Sequence, residues 1–228
     1  MPERPPLATR FAELEKKYRL VDHERAALHW GRLKHLVPAP DIVVDAGASL
    51  GTPRLYKAFP TAKFILVDPI EENRAGLEAF GASYDIDIRI VALGAARGEA
   101  VLNVGGNAGK SRSSFLERSD HLAGGDEKRL VPVAPLTDLV PPTGSIGLKI
   151  DTEGYELEVL KGAEPLFPRI PWIVAETSMF PRFHGDPLFA GIYGFLAPHG
   201  YQFRDFVSIR RNPDGGLRHV DALFVRTL

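Results

Sequence analysis

Apolar and polar positions change rhythm several times along this 228-residue chain. Between residues 8 and 36, Phe11, Leu14, Tyr18, Val21, Ala26, Leu28 and Leu33 fall at roughly helical spacing, which predicts one or two amphipathic helices. Pro38 and Pro40 then interrupt the pattern. Beyond them, short apolar runs alternate with helical stretches. Residues 42–44 and 64–67 read as strands that end in Asp45 and Asp68. Residues 52–59 read as a helix, with Pro53 near its start where proline is tolerated. Residues 71–80 read as a second helix closed by Gly81, and residues 86–91 as a third strand.

The middle breaks this rhythm. Residues 99–104 and 129–133 read as short strands, separated by a polar stretch over residues 105–128 rich in Gly, Ser and charge. That stretch is too long for an ordinary connection, which marks it as functional or mobile. The alternation then returns. Residues 146–150 make a strand ending in Asp151, and residues 155–161 a helix stopped by Gly162. Residues 172–175 make a strand ending in Glu176, and residues 187–196 a helix closing before Gly200. Residues 202–209 and 220–226 flank Asn212-Pro213-Asp214-Gly215-Gly216, the pattern of a terminal β-hairpin. Such alternation argues for an α/β fold with a mostly parallel sheet covered by helices on both faces. The expected organisation is an N-terminal helical extension over residues 1–40 and one domain over residues 41–228. The extension either covers the mouth of a site or packs on the sheet, the commoner role.

Composition narrows the function. Lys and Arg number 28 against 29 Asp and Glu, so no global basic field exists to hold nucleic acid by its phosphates. The absence of cysteine excludes disulfides, thiolate zinc sites and cysteine nucleophiles. Residues 1–10 carry prolines and charges without the apolar stretch of a secretory signal, and no apolar run reaches the length of a transmembrane helix. The expectation is a cytoplasmic protein with neither a nucleic-acid nor a membrane partner.

Three strand ends carry the candidate chemistry. Asp45-Ala46-Gly47-Ala48-Ser49-Leu50-Gly51 leaves the first strand and opens a helix. Its glycines let the backbone turn sharply and approach a ligand, and in an open α/β sheet a nucleotide-like ligand sits at such a turn. The spacing is not G-x-G-x-x-G, which counts against a dinucleotide. Asp68 ends the next strand and is placed to accept hydrogen bonds from vicinal ribose hydroxyls, which both S-adenosylmethionine and NAD present. The most distinctive string is Lys149-Ile150-Asp151-Thr152-Glu153-Gly154-Tyr155-Glu156. Asp151 is a candidate to position an amino group or the acceptor, or to take a proton. Glu153 and Glu156 are also suited to cap the helix that follows.

Taken together, Val43–Gly51, Val67–Pro69 and the Lys149–Ala163 string K-I-D-T-E-G-Y-E-L-E-V-L-K-G-A resemble the FkbM-type family of S-adenosylmethionine-dependent methyltransferases. Ala92-Leu93-Gly94 and the serines Ser111, Ser113 and Ser114 match further features of that family. The resemblance runs from about Asp41 to Glu176 and implies a class I, Rossmann-like methyltransferase fold. It implies that Asp45, Gly47 and Gly51, with Ala48 and Ser49 between them, line the cofactor. Asp68 would hold its ribose beside Pro69, Ala92 would lie against it, and Asp151 and Glu153 would sit near the methyl donor. Family members act on hydroxyls of sugars and secondary metabolites, so a small-molecule or glycan acceptor is expected. One departure is Leu136-Thr137-Asp138-Leu139, where Thr137 replaces an acid of the usual L-D-D-L string.

Methyl transfer to a hydroxyl needs donor and acceptor aligned and a base beside the acceptor. Asp151, Glu153, Glu176 and His184 are the candidates, His184 because its ordinary pKa suits proton transfer near neutrality. Glu176, His184 and Arg112 are the expected acceptor contacts, with Phe180 and Phe183 as a wall or as packing. Arg112 belongs with Lys110, Arg118, Lys128 and Arg129 to the central insertion, which reads either as a solvated loop or as a lid that meets an acidic acceptor. Asp151, Glu153 and Glu176 offer hard oxygen ligands to a divalent ion, although no histidine spacing demands one. Two alternatives stand beside the methyltransferase: a nicotinamide-dependent oxidoreductase, and a domain that binds the cofactor without catalysis.

Overall fold

A computed structural model describes residues 24–105, 112–119, 124–212 and 214–227. The readings made on residues 8–23 and on Lys110 and Ser111 lie outside the described residues. The elements are α1 (Glu24–Leu36), β1 (Ile42–Ala46), α2 (Pro53–Ala58), β2 (Lys63–Val67), α3 (Arg74–Glu78), β3 (Asp85–Arg89), β4 (Ala92–Leu93) and β5 (Gly98–Gly105). They continue with β6 (Asp126–Ala134), β7 (Ile146–Ile150), α4 (Glu156–Ala163), β8 (Trp172–Ser178), α5 (Leu188–Leu196), β9 (Tyr201–Arg211) and β10 (Leu217–Arg226).

The main sheet has seven strands in the order β3-β2-β1-β7-β8-β10-β9. From β3 through β8 neighbouring strands run parallel, and β10 runs antiparallel to both β8 and β9. Every residue of β1, β7 and β8 is buried, as expected of parallel strands covered on both faces. Alternation sorts their side chains. Val44, Ala46, Leu148 and Ile150 pack with Val159 and Leu160 of α4 and with Ile192 and Leu196 of α5. Val43, Phe64, Val174 and Leu223 pack on the other face with Trp30 and Leu33 of α1 and with Leu55 and Tyr56 of α2. The N-terminal helix is therefore part of the core, and Trp172 ties its end down by donating from Nε1 to the Pro38 carbonyl at 3.1 Å.

The middle strands form a second, three-stranded sheet in the order β4-β6-β5. Leu102, Val104, Val131 and Val133 give it a small core against Ile70. Two expected helix stops fall elsewhere. Gly162 lies inside α4; a Cβ there would sit 2.0 Å from the Gly94 carbonyl oxygen. Its role is close approach between α4 and the turn after β4. The helix expected over residues 71–80 is α3 flanked by two 3-10 turns, and Gly81 lies within the second, Ala79–Ala82. The Leu136–Asp138 string makes a single 3-10 turn. Among the described residues no helix is long and apolar enough to cross a membrane.

The chain steps outward from β1 to β2 and β3, then returns to lay β7 on the other side of β1. The crevice beyond the C-terminal ends of β1 and β7 is thus the switch point of the sheet, where open α/β sheets bind ligands.

Candidate active site

The turn after β1 is shaped by contact with the end of β7. Asp151 donates its N–H to the Ala46 carbonyl at 2.9 Å, and Gly47 and Ala48 both donate to the Val67 carbonyl. A Cβ on Gly47 would lie 1.8 Å from the Asp151 carbonyl oxygen, and its φ is +74°. Only glycine fits. Ser49 follows with φ 47°, and Glu153 across the cleft has φ 51°. Left-handed backbone at non-glycine residues costs roughly 1–3 kcal/mol each and concentrates at functional sites.

Around this floor lies a cleft lined by Gly47, Ser49, Asp68, Pro69, Asn73, Ala92, Asp151, Thr152 and Glu153, with apolar walls from Val67, Ile70, Val91, Leu93, Leu102 and Phe115. Most of the expected cofactor set meets here. Three members do not. Asp45 is fully buried; its carboxylate accepts from Tyr56 Oη at 2.7 Å and pairs with Lys149 Nζ at 3.0 Å. Its role is to anchor the floor, since Lys149 also reaches Asp151 at 3.4 Å. Burial works against the Lys149 charge, but Asp45 and Asp151 outweigh it and raise its pKa. Ala48 is buried beneath the turn. Gly51, with φ +90°, faces the Phe80 ring, which a Cβ would meet at 2.3 Å.

Asp68 stands at the cleft but is heavily engaged. Its Oδ2 accepts from Ser49 N at 2.8 Å, and its Oδ1 accepts from Ile70 N and from Asn73 Nδ2, both at 2.9 Å. Burial raises its pKa against the pull of these donors. A carboxylate has about four acceptor positions, so one on Oδ2 stays open for a ribose hydroxyl. A second hydroxyl bond requires Asn73 to turn away.

Beside the cleft lies a buried charge cluster. Asp151, Glu153 and Glu176 each bring a carboxylate oxygen within 4.8 Å of the others. Arg182 Nη1 donates to Glu153 at 3.2 Å, its Nη2 donates to Glu176, and its Nε donates to Ser178 Oγ at 2.9 Å. Arg118 Nη2 adds a second bond to Glu153 at 3.1 Å. Two guanidinium groups therefore bring positive charge to this trio, of the kind that a divalent ion would also bring. Burial and the neighbouring Glu176 push Glu153 up to about 7 despite the arginines. Burial, then Glu176, raises Asp151 as well, while Lys149 pulls it down. His219 Nε2 lies 3.4 Å from Glu176; burial and Arg182 push this histidine down to about 3, so it is neutral.

Glu156, at the first position of α4, turns back onto the preceding loop instead of capping the helix. Its Oε1 accepts from the Thr152 and Gly154 amides at 2.9 and 3.1 Å and from Thr152 Oγ1 at 3.2 Å, which holds the 152–154 loop at the head of α4. His184 is exposed, lines no part of the cleft, and uses its backbone N–H on the Glu117 carbonyl at 2.9 Å. No hydrogen bond or ion pair joins its side chain to the carboxylates among the described residues. Arg112 is exposed too; the insertion enters the site instead through Ser113 and Phe115, which line the cleft, and through Arg118. Arg182, Lys149, Asn73 and His219 were not singled out by sequence. Lys149 had a signal, a lysine between Leu148 and Ile150 in an otherwise apolar strand.

The model of the Methyltransferase FkbM domain matches residues 45–203. The chain belongs to this family of S-adenosylmethionine-dependent methyltransferases. Among solved structures, this FkbM protein is similar to the 1,6-didemethyltoxoflavin-N1-methyltransferase of Burkholderia thailandensis, at 15% identity and a TM-score of 0.47, covering 100% of this chain and 93% of that one. It is similar to TehB of Haemophilus influenzae, at 10% identity and a TM-score of 0.47, covering 94% and 66% of the two chains. It is similar also to an rRNA methylase of Escherichia coli, at 11% identity and a TM-score of 0.44, covering 90% and 64%. No curated protein matches the chain. The cleft suits the family's cofactor: an apolar slot for a purine, an open acceptor position on Asp68 for ribose, and Asp151 for an ammonium group.

Proposed function

We propose that this FkbM-family protein transfers the methyl group of S-adenosylmethionine to a hydroxyl of a small polyhydroxylated acceptor, a sugar, glycan or secondary metabolite. The observation that carries this reading is the convergence of Asp151, Glu153 and Glu176 beside the cofactor cleft. Carboxylates accept hydrogen bonds from hydroxyl groups and donate none when ionised, so a cluster of them recognises a polyol. When bound, S-adenosylmethionine supplies an electrophilic methyl group on a positively charged sulfur.

Glu153 is the general base of this proposal. It lines the cleft, and burial brings its pKa to about 7, where a base takes a proton near neutral pH and still releases it. The hydroxyl proton passes to a Glu153 carboxylate oxygen as the acceptor oxygen attacks. Asp151, partly open to the cleft and steered by Lys149, orients the donor or the acceptor. Phe115 and Leu102 exclude water from the purine end. A net charge of −1 gives the chain no global basic field, which favours a small acceptor over nucleic acid, and a cytoplasmic setting suits the chemistry. The turn after β1 lacks the dinucleotide glycine spacing, which leaves the nicotinamide alternative without support.

Calorimetric titration with S-adenosylhomocysteine tests the cofactor, with Asp68→Ala alongside. Binding by the native protein that weakens at least tenfold in the variant is expected. A folded native protein that binds no S-adenosylhomocysteine overturns the reading. Glu153→Gln should then keep this affinity and lose turnover by about 100-fold or more on whichever hydroxyl acceptor a screen reveals. Undiminished turnover removes Glu153 as the base.

A further inference from the structure

Arg118 comes from the insertion, yet its side chain is only 5% exposed and ends on the Glu153 carboxylate. Residues 112–119 of that insertion are fastened at several points. Ser114 Oγ donates to the Glu153 carbonyl at 2.6 Å, and Asn103 and Ser114 pair their backbones in an antiparallel bridge. Arg118 pairs its backbone with Phe183, and Ser119 N donates to the Arg182 carbonyl at 2.8 Å. The Arg118 guanidinium also lies over the Phe183 ring, 4.5 Å from its centroid, while that of Arg182 lies 5.3 Å from the same ring. Gly154 permits this closure, since a Cβ there would meet Phe183 at 2.9 Å and Leu116 at 3.1 Å. The two arginines thus converge on one carboxylate oxygen, Glu153 Oε2, from two separate loops.

We propose that Arg118 is a positioning residue that makes residues 112–119 part of the catalytic apparatus, fixing the Glu153 carboxylate and balancing its charge from the acceptor side of the cleft. This rests on Glu153 as the base. Arg182 alone does not suffice, because it is shared between Glu153 and Glu176. The charged groups that act on Glu153 are Asp151 from its own loop, Glu176 and Arg182 from β8 and the segment after it, and Arg118. Two acids stand against two arginines, so without Arg118 the Glu153 anion has only a guanidinium that it shares with Glu176. A cation in hydrogen-bond contact typically lowers a carboxylate by about one to three units. An arginine also constrains it in a way that a lysine, with a point charge on a flexible stem, does not match.

The test is carboxyl-carbon NMR titration of 13C-glutamate-labelled full-length protein, with Glu153 assigned by its loss in Glu153→Gln. Arg118→Gln, shown to be folded by its amide spectrum, should raise the Glu153 midpoint by about one unit or more. Arg118→Lys should restore most of that shift. An unchanged midpoint in folded Arg118→Gln overturns the proposal. Should that variant not fold, the Arg118 side chain in the native protein decides. Its guanidinium 15N signals should be restrained in the native protein and mobile in Glu153→Gln, and equal mobility in both refutes the pairing. If acceptor assays instead show that Glu153→Gln retains turnover, the base assignment falls, whereas the titration still reports whether Arg118 holds Glu153.

Discussion

On β10, Asp221 faces Glu176 of β8 on one side and Ser208 of β9 on the other. Ser208 Oγ donates to it, but no cation among the described residues forms a direct ion pair with it. Burial, then the charges of Asp151 and Glu176, push its pKa from 3.8 up to about 7. In the unfolded chain this acid loses its proton near its ordinary value; in the folded protein it keeps the proton to about 7. The folded state therefore binds more protons than the unfolded state across that window, and stability falls as pH rises through it. Asp221→Asn removes the titration while keeping the shape. Between pH 5 and pH 8 the wild type forfeits roughly two units of this difference, about 2.7 kcal/mol at most. Dielectric relaxation around a partly buried acid reduces that to about 1–2 kcal/mol. For a chain of this size the variant's melting temperature, relative to wild type, should then rise by about 2–8 °C on going from pH 5 to pH 8. Differential scanning calorimetry of both proteins at the two pH values measures this. Glu153 and Glu156, whose pKa values burial also raises, titrate in both proteins and cancel to first order. An offset that stays the same at both pH values, or shrinks toward pH 8, refutes the reasoning.

Other outcomes follow from the same geometry. Asn73→Ala frees Asp68 Oδ1 and should tighten S-adenosylhomocysteine binding several-fold by calorimetry; weaker binding would mean that Asn73 itself holds the ligand. Gly162→Ala drives a methyl group into the Gly94 carbonyl and should cost about 3 kcal/mol, read as a lower midpoint of denaturant unfolding. Trp30→Ala opens the core under α1 and should cost about 3–5 kcal/mol, while the folded variant binds S-adenosylhomocysteine as wild type does.

Much of the scaffold was legible because it rests on local patterns. The apolar runs at β1, β2, β7 and β8 gave strands, and of the acids that end them Asp68 and Asp151 line the cleft. Residues 1–40 were set apart from the domain because periodicity reports an amphipathic face without saying what covers it; Trp30 and Leu33 cover the sheet itself. Site roles were harder to read. Asp45 looked like a ligand contact because it sits beside Gly47, but strand alternation turns its side chain beneath the sheet toward Lys149 and Tyr56. Choosing Arg112 over Arg118 was a matter of register, since both lie in one polar stretch and only the fold back along Phe183 brings the second inward. His184 was favoured by its chemistry and its position after a strand, whereas Arg182, two residues earlier, is the side chain that turns in. An acid at Glu156 was legible because the first turn of a helix draws acids, but its hold on the Thr152 and Gly154 amides of the preceding loop was not.

The ion pair between Asp45 and Lys149 also has a bearing on the order of assembly. These side chains belong to adjacent strands, β1 and β7, yet about a hundred residues of chain separate them, so their contact is among the slow, non-local ones. As the protein is synthesised, β1, β2 and β3 emerge and pair long before β7 exists. During that interval Asp45 has Tyr56 but no cation, and one side of β1 is an open sheet edge. Arrival of Lys149 neutralises the acid, seals the edge and brings the Asp151 backbone onto Gly47 in one event. The floor of the ligand cleft therefore comes into being when β7 docks on β1, before β8 completes the parallel strands, and a chain stalled before β7 holds a half-sheet with an exposed, charged margin for chaperones to shield.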